Sequence, residues 1–380
     1  MDTQAITGHD ASAAPALLEQ LIAAAERAGA SDIHLQMRGS SAEVGFRLDG
    51  VLTPASRLEE PIAERVFGRI KYLARLKTYQ DSLPQDGRIE ARDARTQNDI
   101  RVATYPTVTG EKIVLRLFQT SVVRSLGELG LPEQAWAELE AFLRQPAGLL
   151  LLTGPAGSGK TTTIYACLRQ LVEQGGRHVI TVEDPVEQIV PGVMQTEVCE
   201  TRGLDFAKAA RHLLRQDPQV LVIGEIRDEE TANLAVRAAL TGHQVISTLH
   251  AGSCRGVFER LLVMCRDHSA IASAVELVLN QRLIRRVCTA CGGTGILPRA
   301  ILPARTNATP PTRCETCLGT GYRGRVPLVE WLRLNDAGRR ALRQNDLAAL
   351  QPQCSFVEAV QQLIAGGITN RAEQQRLFGP

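Results

Sequence analysis

Leu17, Leu18, Leu21, Ile22 and Ala25 recur at helical spacing, which predicts an amphipathic helix over residues 15–27 behind a loose tail of a dozen residues. Short alternating segments follow at 33–37, 42–48, 89–92, 99–104 and 112–118, with the two-residue period of strands that bury one face. A helix over 62–76 carrying basic residues sits among them. This stretch reads as an α+β module of about a hundred residues. It is closed by the loop 120–132, which contains Gly127, Gly130 and Pro132. From Pro132 the rhythm changes. Residues 148–153 (GLLLLT) are an apolar run leading into Gly154, 161–174 read as a helix, and 179–182, 220–223 and 245–248 are short β-branched runs between helical stretches. Strands alternating with helices predict a parallel sheet covered on both faces. A loop rich in Pro, Thr and Ala lies between Cys291 and Cys314, and a helical segment runs from Asn335 to the end. No internal repeat has a fixed period.

Composition narrows the field. The chain has 380 residues, 44% hydrophobic, with Lys+Arg 43 against Asp+Glu 41 and a net charge of +2. That balance excludes a strongly basic nucleic-acid coat. No apolar run reaches 18 residues and no basic stretch precedes an apolar one at the N-terminus, so the expectation is a soluble, multidomain, intracellular protein without membrane insertion. Only five of the basic residues are lysines, a bias that fits an arginine-rich coding background and singles out each lysine for attention.

Gly154, Pro155, Ala156, Gly157, Ser158, Gly159, Lys160 and Thr161 match G-x-x-x-x-G-K-[ST], with Thr162 beside them, a strand before and a helix after. Glycines let the backbone curl its N–H groups onto phosphate oxygens, and the helix N-terminus adds favourable dipole charge. Lys160 is expected on the β/γ-phosphates of a bound nucleotide and the Thr161 hydroxyl on Mg²⁺. The strand 220–223 ends in Gly224-Glu225, where Mg²⁺ and its waters are managed. The usual aspartate before the glutamate is absent, so Glu225 acts alone. A second acidic run, Glu183-Asp184-Pro185-Val186-Glu187, follows the strand 179–182 and offers a carboxylate to orient the attacking water. Solvation or helix capping is the bland alternative for either cluster. Two clusters at two sheet ends after a phosphate loop favour catalysis. His243 and His250 flank the next strand, where a histidine can sense a γ-phosphate; a packed or surface histidine is the alternative.

Cys288-x-x-Cys291 and Cys314-x-x-Cys317 are separated by 22 residues. Two such knuckles aim four thiolates at one point, the closed tetrahedral site of structural Zn²⁺, with a redox pair as the alternative. Cys167, Cys199, Cys254, Cys265 and Cys354 read as ordinary core residues.

In chain order these residues resemble the bacterial secretion ATPase superfamily, the motors of type II secretion and type IV pilus assembly. The resemblance is carried by 30–35 (ASDIHL), 83–88 (LPQDGR), Pro106-Thr107 with Gly110-Glu111, the phosphate loop, 183–187 (EDPVE), 214–218 (LRQDP), 224–228 (GEIRD), 241–243 (TGH), 247–250 (STLH), the four cysteines and 320–325 (TGYRGR). It implies an α/β chain: a tail and helix over 1–29, a PAS-like α+β domain over 30–118, a linker over 119–132, a RecA-like P-loop ATPase core over 133–287, a four-cysteine zinc module over 288–325 and a helical region over 326–380. It further implies a homo-hexamer, with nucleotide at the domain interface. That ring would act at the cytoplasmic face of the inner membrane on a platform or docking protein. By position, Glu187 resembles the catalytic glutamate and Glu225 the Walker B residue, with His243 and His250 the histidine box. Arg101 and Arg116 match arginines that close over the phosphates, and Arg211 and Arg215 match ATPase-domain arginines of the nucleotide pocket. The chain starts almost directly at the first signature, so a long docking extension is expected to be missing or reduced to residues 1–29. The cysteine module favours assembly or secretion over pilus retraction. A DNA translocase is disfavoured by the near-neutral charge and 4% aromatic content, and a non-hydrolysing scaffold by the intact Lys160, Thr161, Glu187 and Glu225.

Overall fold

The computed structural model describes residues 5–6, 13–117, 124–296 and 313–379. The loop between the cysteine pairs, 297–312, and the start of the linker therefore lie outside the described residues. The chain divides into two units, residues 1–122 with 287–324, and residues 123–286 with 325–380.

Unit 1 is built on β1 (Ala5–Ile6), α1 (Ala13–Ala28), β2 (Asp32–Arg38), β3 (Ser41–Leu48), β4 (Val51–Glu59), α2 (Ile62–Leu73), β5 (Gln85–Ile89), α3 (Ala91–Ala94), β6 (Ile100–Thr107) and β7 (Gly110–Leu117). The seven strands form one sheet in the order β1-β4-β3-β2-β7-β6-β5, antiparallel except for the β1–β4 pair. Alternation decides the core: Ile33, Leu35, Val44, Phe46, Ile100, Val102, Ile113 and Leu115 turn to one face and pack with α1 and α2. The other face carries the polar partners. The strand expected over 89–92 lies four residues earlier, and 91–94 form a helical turn that ends at Arg95 in the left-handed region.

Unit 2 begins with α4 (Glu133–Leu143) and alternates β8 (Gly148–Thr153), α5 (Lys160–Gln174), β9 (Val179–Glu183), β10 (Met194–Glu197), α6 (Phe206–Leu213), β11 (Val220–Ile223), α7 (Glu229–Leu240), β12 (Gln244–Thr248), α8 (Cys254–Met264), α9 (His268–Ala274) and β13 (Val275–Val287). It closes with β14 (Tyr322–Arg333), α10 (Asp336–Arg343), α11 (Phe356–Ala365) and α12 (Arg371–Phe378). The sheet order is β10-β9-β11-β12-β8-β13-β14, parallel from β10 through β13. Because both faces are covered, neighbouring residues of one strand enter different cores: Leu149, Leu151, Leu221 and Val245 on one side, Leu150, Leu152, Val222 and Ile246 on the other. All parallel strands thus deliver their carboxyl ends to one edge.

Candidate functional site

The phosphate loop leaves β8 at that edge. Gly154 has φ +132°, and a Cβ there would stand 2.2 Å from the Gln281 carbonyl oxygen; Gly159 has φ +93°, with the Gln281 amide 2.9 Å from a built Cβ. Only glycine fits either place, and the loop is pressed against β13 by Gln281, whose amide oxygen also accepts from the Thr163 hydroxyl at 3.0 Å. Lys160 Nζ donates to the carbonyls of Gly154 at 2.8 Å and Pro155 at 3.0 Å. Burial pulls the Lys160 ammonium below its ordinary value, and the charge of Glu225 opposes that shift. Thr161 and Thr162 are exposed at the first turn of α5, whereas Ser158 is buried with its hydroxyl unpartnered. A glycine cradle, an ammonium at its mouth and open hydroxyls fit a polyphosphate with a divalent cation.

Side chains tie the neighbouring strand ends to the loop. The Thr248 hydroxyl donates to Gly224 O at 2.8 Å, and Thr153 Oγ1 exchanges hydrogen bonds with the Ala251 backbone. His250 Nε2 therefore stands 3.1 Å from Glu225 Oε1, while Arg227 Nε donates to Glu225 Oε2 at 2.8 Å and its NH1 lies 3.3 Å from Asp184. Glu225 and Asp184, from β11 and β9, thus share one cation. The acidic run splits by burial. Glu183 is buried and accepts from the Tyr165 hydroxyl and the Thr181 hydroxyl, each at 2.5 Å, and from Gln195 at 3.0 Å. Burial and the Glu183 contact drive the Tyr165 phenol above its ordinary value. Its oxygen also accepts the Glu187 and Gln188 N–H groups at 3.1 Å, so the exposed Glu187 is anchored on α5, five residues beyond Lys160.

The structure gathers Lys160, Glu225 and His250, with Glu187 on the anchored loop. It does not bring His243 to them. His243 precedes β12, its carbonyl accepts from Gly148 N, and its Nδ1 lies 3.0 Å from Ala238 O, which places it at the amino edge of the sheet. A residue that precedes a parallel strand marks its amino end and one that follows marks its carboxyl end, so chain direction alone sets His243 apart from His250. Arg215 follows α6 toward that same amino edge, and Arg211 is paired with Glu230 on α7. Arg101 and Arg116 belong to unit 1, where they are direct cross-strand partners on β6 and β7. Tyr165 and Gln281 lie in no motif that the sequence offers, and Arg227, although inside 224–228, has no role that its spacing announces.

The four cysteines lie buried in unit 1 with sulfurs all within 4.8 Å. Cys288 and Cys314 are 4.0 Å apart, Cys291 and Cys317 3.7 Å. Zn–S bonds of about 2.3 Å at tetrahedral angles give S···S edges of about 3.8 Å, so the donors fit Zn²⁺. Gly295 N and Gly321 N donate to Cys291 and Cys317 at 3.3 Å, the backbone support that thiolates need. Among the other cysteines Cys199 is half-buried rather than core.

A family described as "Type II/IV secretion system protein" matches residues 8–376. The chain is 40% identical over 344 residues to the "Putative type II secretion system protein E" of Escherichia coli K12, covering 88% of this chain and 70% of that protein. It is 39% identical over 345 residues to the "Type IV pilus assembly ATPase PilB" of Thermus thermophilus, covering 88% and 38% respectively. Its fold matches the X-ray structure of the Legionella pneumophila ATPase DotB with a TM-score of 0.70 at 21% identity, over 99% of this chain and 97% of that one.

Proposed function

The chain belongs to the Type II/IV secretion system protein family, and from that premise we propose that it is an ATP-hydrolysing motor for type II protein secretion or type IV pilus assembly. The observation that carries the reading is the meeting of Lys160, Glu225 and His250 at one sheet edge, with Glu187 held beside them by Tyr165. Unit 2 is read as the RecA-like ATPase core and the N-terminal sheet as the PAS-like domain.

Lys160 holds the β/γ-phosphates, Glu187 orients and deprotonates the attacking water, and His250 reads the γ-phosphoryl group through its contact with Glu225. Mg²⁺, when bound, supplies neutralising charge on the phosphoryl oxygens, and the Thr161 hydroxyl and Glu225 are the groups placed to hold it. Zn²⁺ on the four cysteines is a structural cross-link. Arg101 and Arg116 add charge toward the transferred phosphoryl group, and Arg211 and Arg215 serve a second subunit of a homo-hexamer. His243 is assigned to the turn between α7 and β12. Membership of the family supports a peripheral motor docked on an inner-membrane platform at its cytoplasmic face; among the described residues no helix is long and apolar enough to cross a membrane.

Steady-state ATPase assays of the parent beside Glu187→Gln and Glu225→Gln test the reading. Turnover should fall by about 10²-fold or more in each variant, with ATP binding retained. Parental turnover in both variants would remove these carboxylates from the chemistry. Binding without turnover in the parent, alone and with its membrane partner, would favour a scaffold.

A further inference from the structure

We propose that Asp32 is a positioning residue that presets Arg116 for a phosphoryl group, and that Arg47 fixes Asp32 in that task. The proposal rests on the reading of Arg116 as a phosphate contact. Register supplies the first observation. Arg47 on β3, Asp32 on β2, Arg116 on β7, Arg101 on β6 and Arg88 on β5 are successive direct partners, so all five side chains leave the same sheet face in one row. Arg47 and Arg116 thus flank the Asp32 carboxylate at strand spacings of about 4.8 Å, with Arg101 beyond Arg116 and Arg88, itself paired with Asp99, beyond that.

The asymmetry of burial is the second. The Asp32 side chain is only 6% exposed, yet the Arg116 side chain it holds is 65% exposed. Arg116 Nε donates to Asp32 Oδ1 at 3.0 Å, so the grip is on the inner nitrogen and the outer end of the guanidinium stands in solvent. Asp32 is itself fixed: the Ser31 hydroxyl donates to Oδ2 at 2.8 Å, and Arg47 Nε lies 3.4 Å from the same oxygen. Arg47 is spent internally, donating to Gly50 O at 3.2 Å and facing His34 Nε2 at 3.2 Å. Arg47 therefore braces Asp32, Asp32 holds Arg116, and Arg116 alone of the three presents its head. An arginine side chain loses considerable rotamer freedom when it clamps an anion; fixing it through Nε in advance removes much of that loss and holds the fork in one direction. Asp32 touches no reacting atom.

The experiment compares kcat and KM for MgATP in the full chain as parent, Asp32→Asn, Arg116→Gln and the double variant. Asp32→Asn should lower kcat by about five- to tenfold with KM near the parental value. Arg116→Gln should lower it further, and the double variant should match Arg116→Gln alone, because Asp32 works only through that side chain. A double variant whose loss equals the product of the single losses, or a parental kcat for Asp32→Asn beside an impaired Arg116→Gln, overturns the proposal while leaving the Arg116 reading intact. Parental kcat in Arg116→Gln defeats that reading and the proposal with it. Should Asp32→Asn not fold, Asp32→Glu keeps the charge, displaces it by one methylene, and carries the same expectation in both backgrounds.

Discussion

Glu183 and Glu187 stand four residues apart in one acidic run, and one tyrosine separates their roles. Tyr165 donates its proton to the buried Glu183 and offers its oxygen to the N–H groups of Glu187 and Gln188. Removing the hydroxyl in Tyr165→Phe leaves two N–H groups and one carboxylate oxygen short of a partner, at a cost of about 1–3 kcal/mol. Thermal denaturation should show that loss, and kcat should fall more than ATP affinity because the loop bearing Glu187 is released. Equal stability and turnover in parent and variant would make the tyrosine incidental. At this scale the sequence speaks where spacing itself encodes the chemistry. Lys160 and the four cysteines are legible because a phosphate loop and a thiolate knuckle are local objects. Tyr165 and Gln281 are not, since each acts on residues that only the fold brings near, and the same holds for the contact of Arg227 with Asp184.

β13 shows the same limit in an element. Residues 282–286 hold three arginines, but they lie on a thirteen-residue strand, and several of its polar side chains have a target. Gln281 backs the phosphate loop. Arg282 stacks on Phe356 and Phe378, at 5.4 and 5.1 Å from the ring centres, and Arg285 forms a fork with Glu373 at 2.9 and 2.7 Å. The fully apolar strands β8 and β11 were legible to the residue. β4, β13 and β14 were missed, because Pro54 and a register shift opposite β4 and the arginines of β13 break the apolar pattern. Glu373 clamps α12 onto β13 and is 0% exposed. Burial alone would raise its pKa, but hydrogen bonds from Arg376 and Arg285 outweigh burial and hold it below the ordinary glutamate value. A depressed folded-state pKa means stability that is fully present above the unfolded value, about pH 4.3, and is lost as pH falls through the folded value. Glu373→Gln should therefore cost about 3–5 kcal/mol at neutral pH by stranding Arg285. Denaturant melts should show the parent–variant gap narrowing as the solution is acidified below that range; a gap constant down to pH 3 would rule the clamp out as the acid-sensitive element.

Across the whole molecule, the cysteine module falls in the same unit as the N-terminal sheet, although more than 160 residues separate it from β7. Two contacts account for this: Leu318 packs on the core of that sheet, and Gly324 N donates to Asp49 Oδ2 at 2.8 Å at the turn between β3 and β4. Cysteine spacing gives the metal site but not the surface on which it docks, so the sequence leaves the module unassigned to either half. The two ligands should then act on different units. On the proposed reading zinc cross-links the two knuckles through their four thiolates, and its removal should withdraw folding energy from the module first. MgATP, on the same proposed reading, occupies the folded phosphate loop and should stabilise its unit by about 2.7 kcal/mol at a hundredfold excess over Kd. Hydrogen-exchange mass spectrometry with a chelator, then with MgATP, separates the effects. Chelation should speed exchange in 288–296, 313–324 and the turn around Asp49, with β8, β11 and β12 unchanged. MgATP should instead slow exchange in 154–165 and 224–228. If chelation loosened the parallel sheet as much as the module, the zinc site would be a cross-link of the motor core, and the assignment of the cysteines to the N-terminal unit would have no energetic meaning.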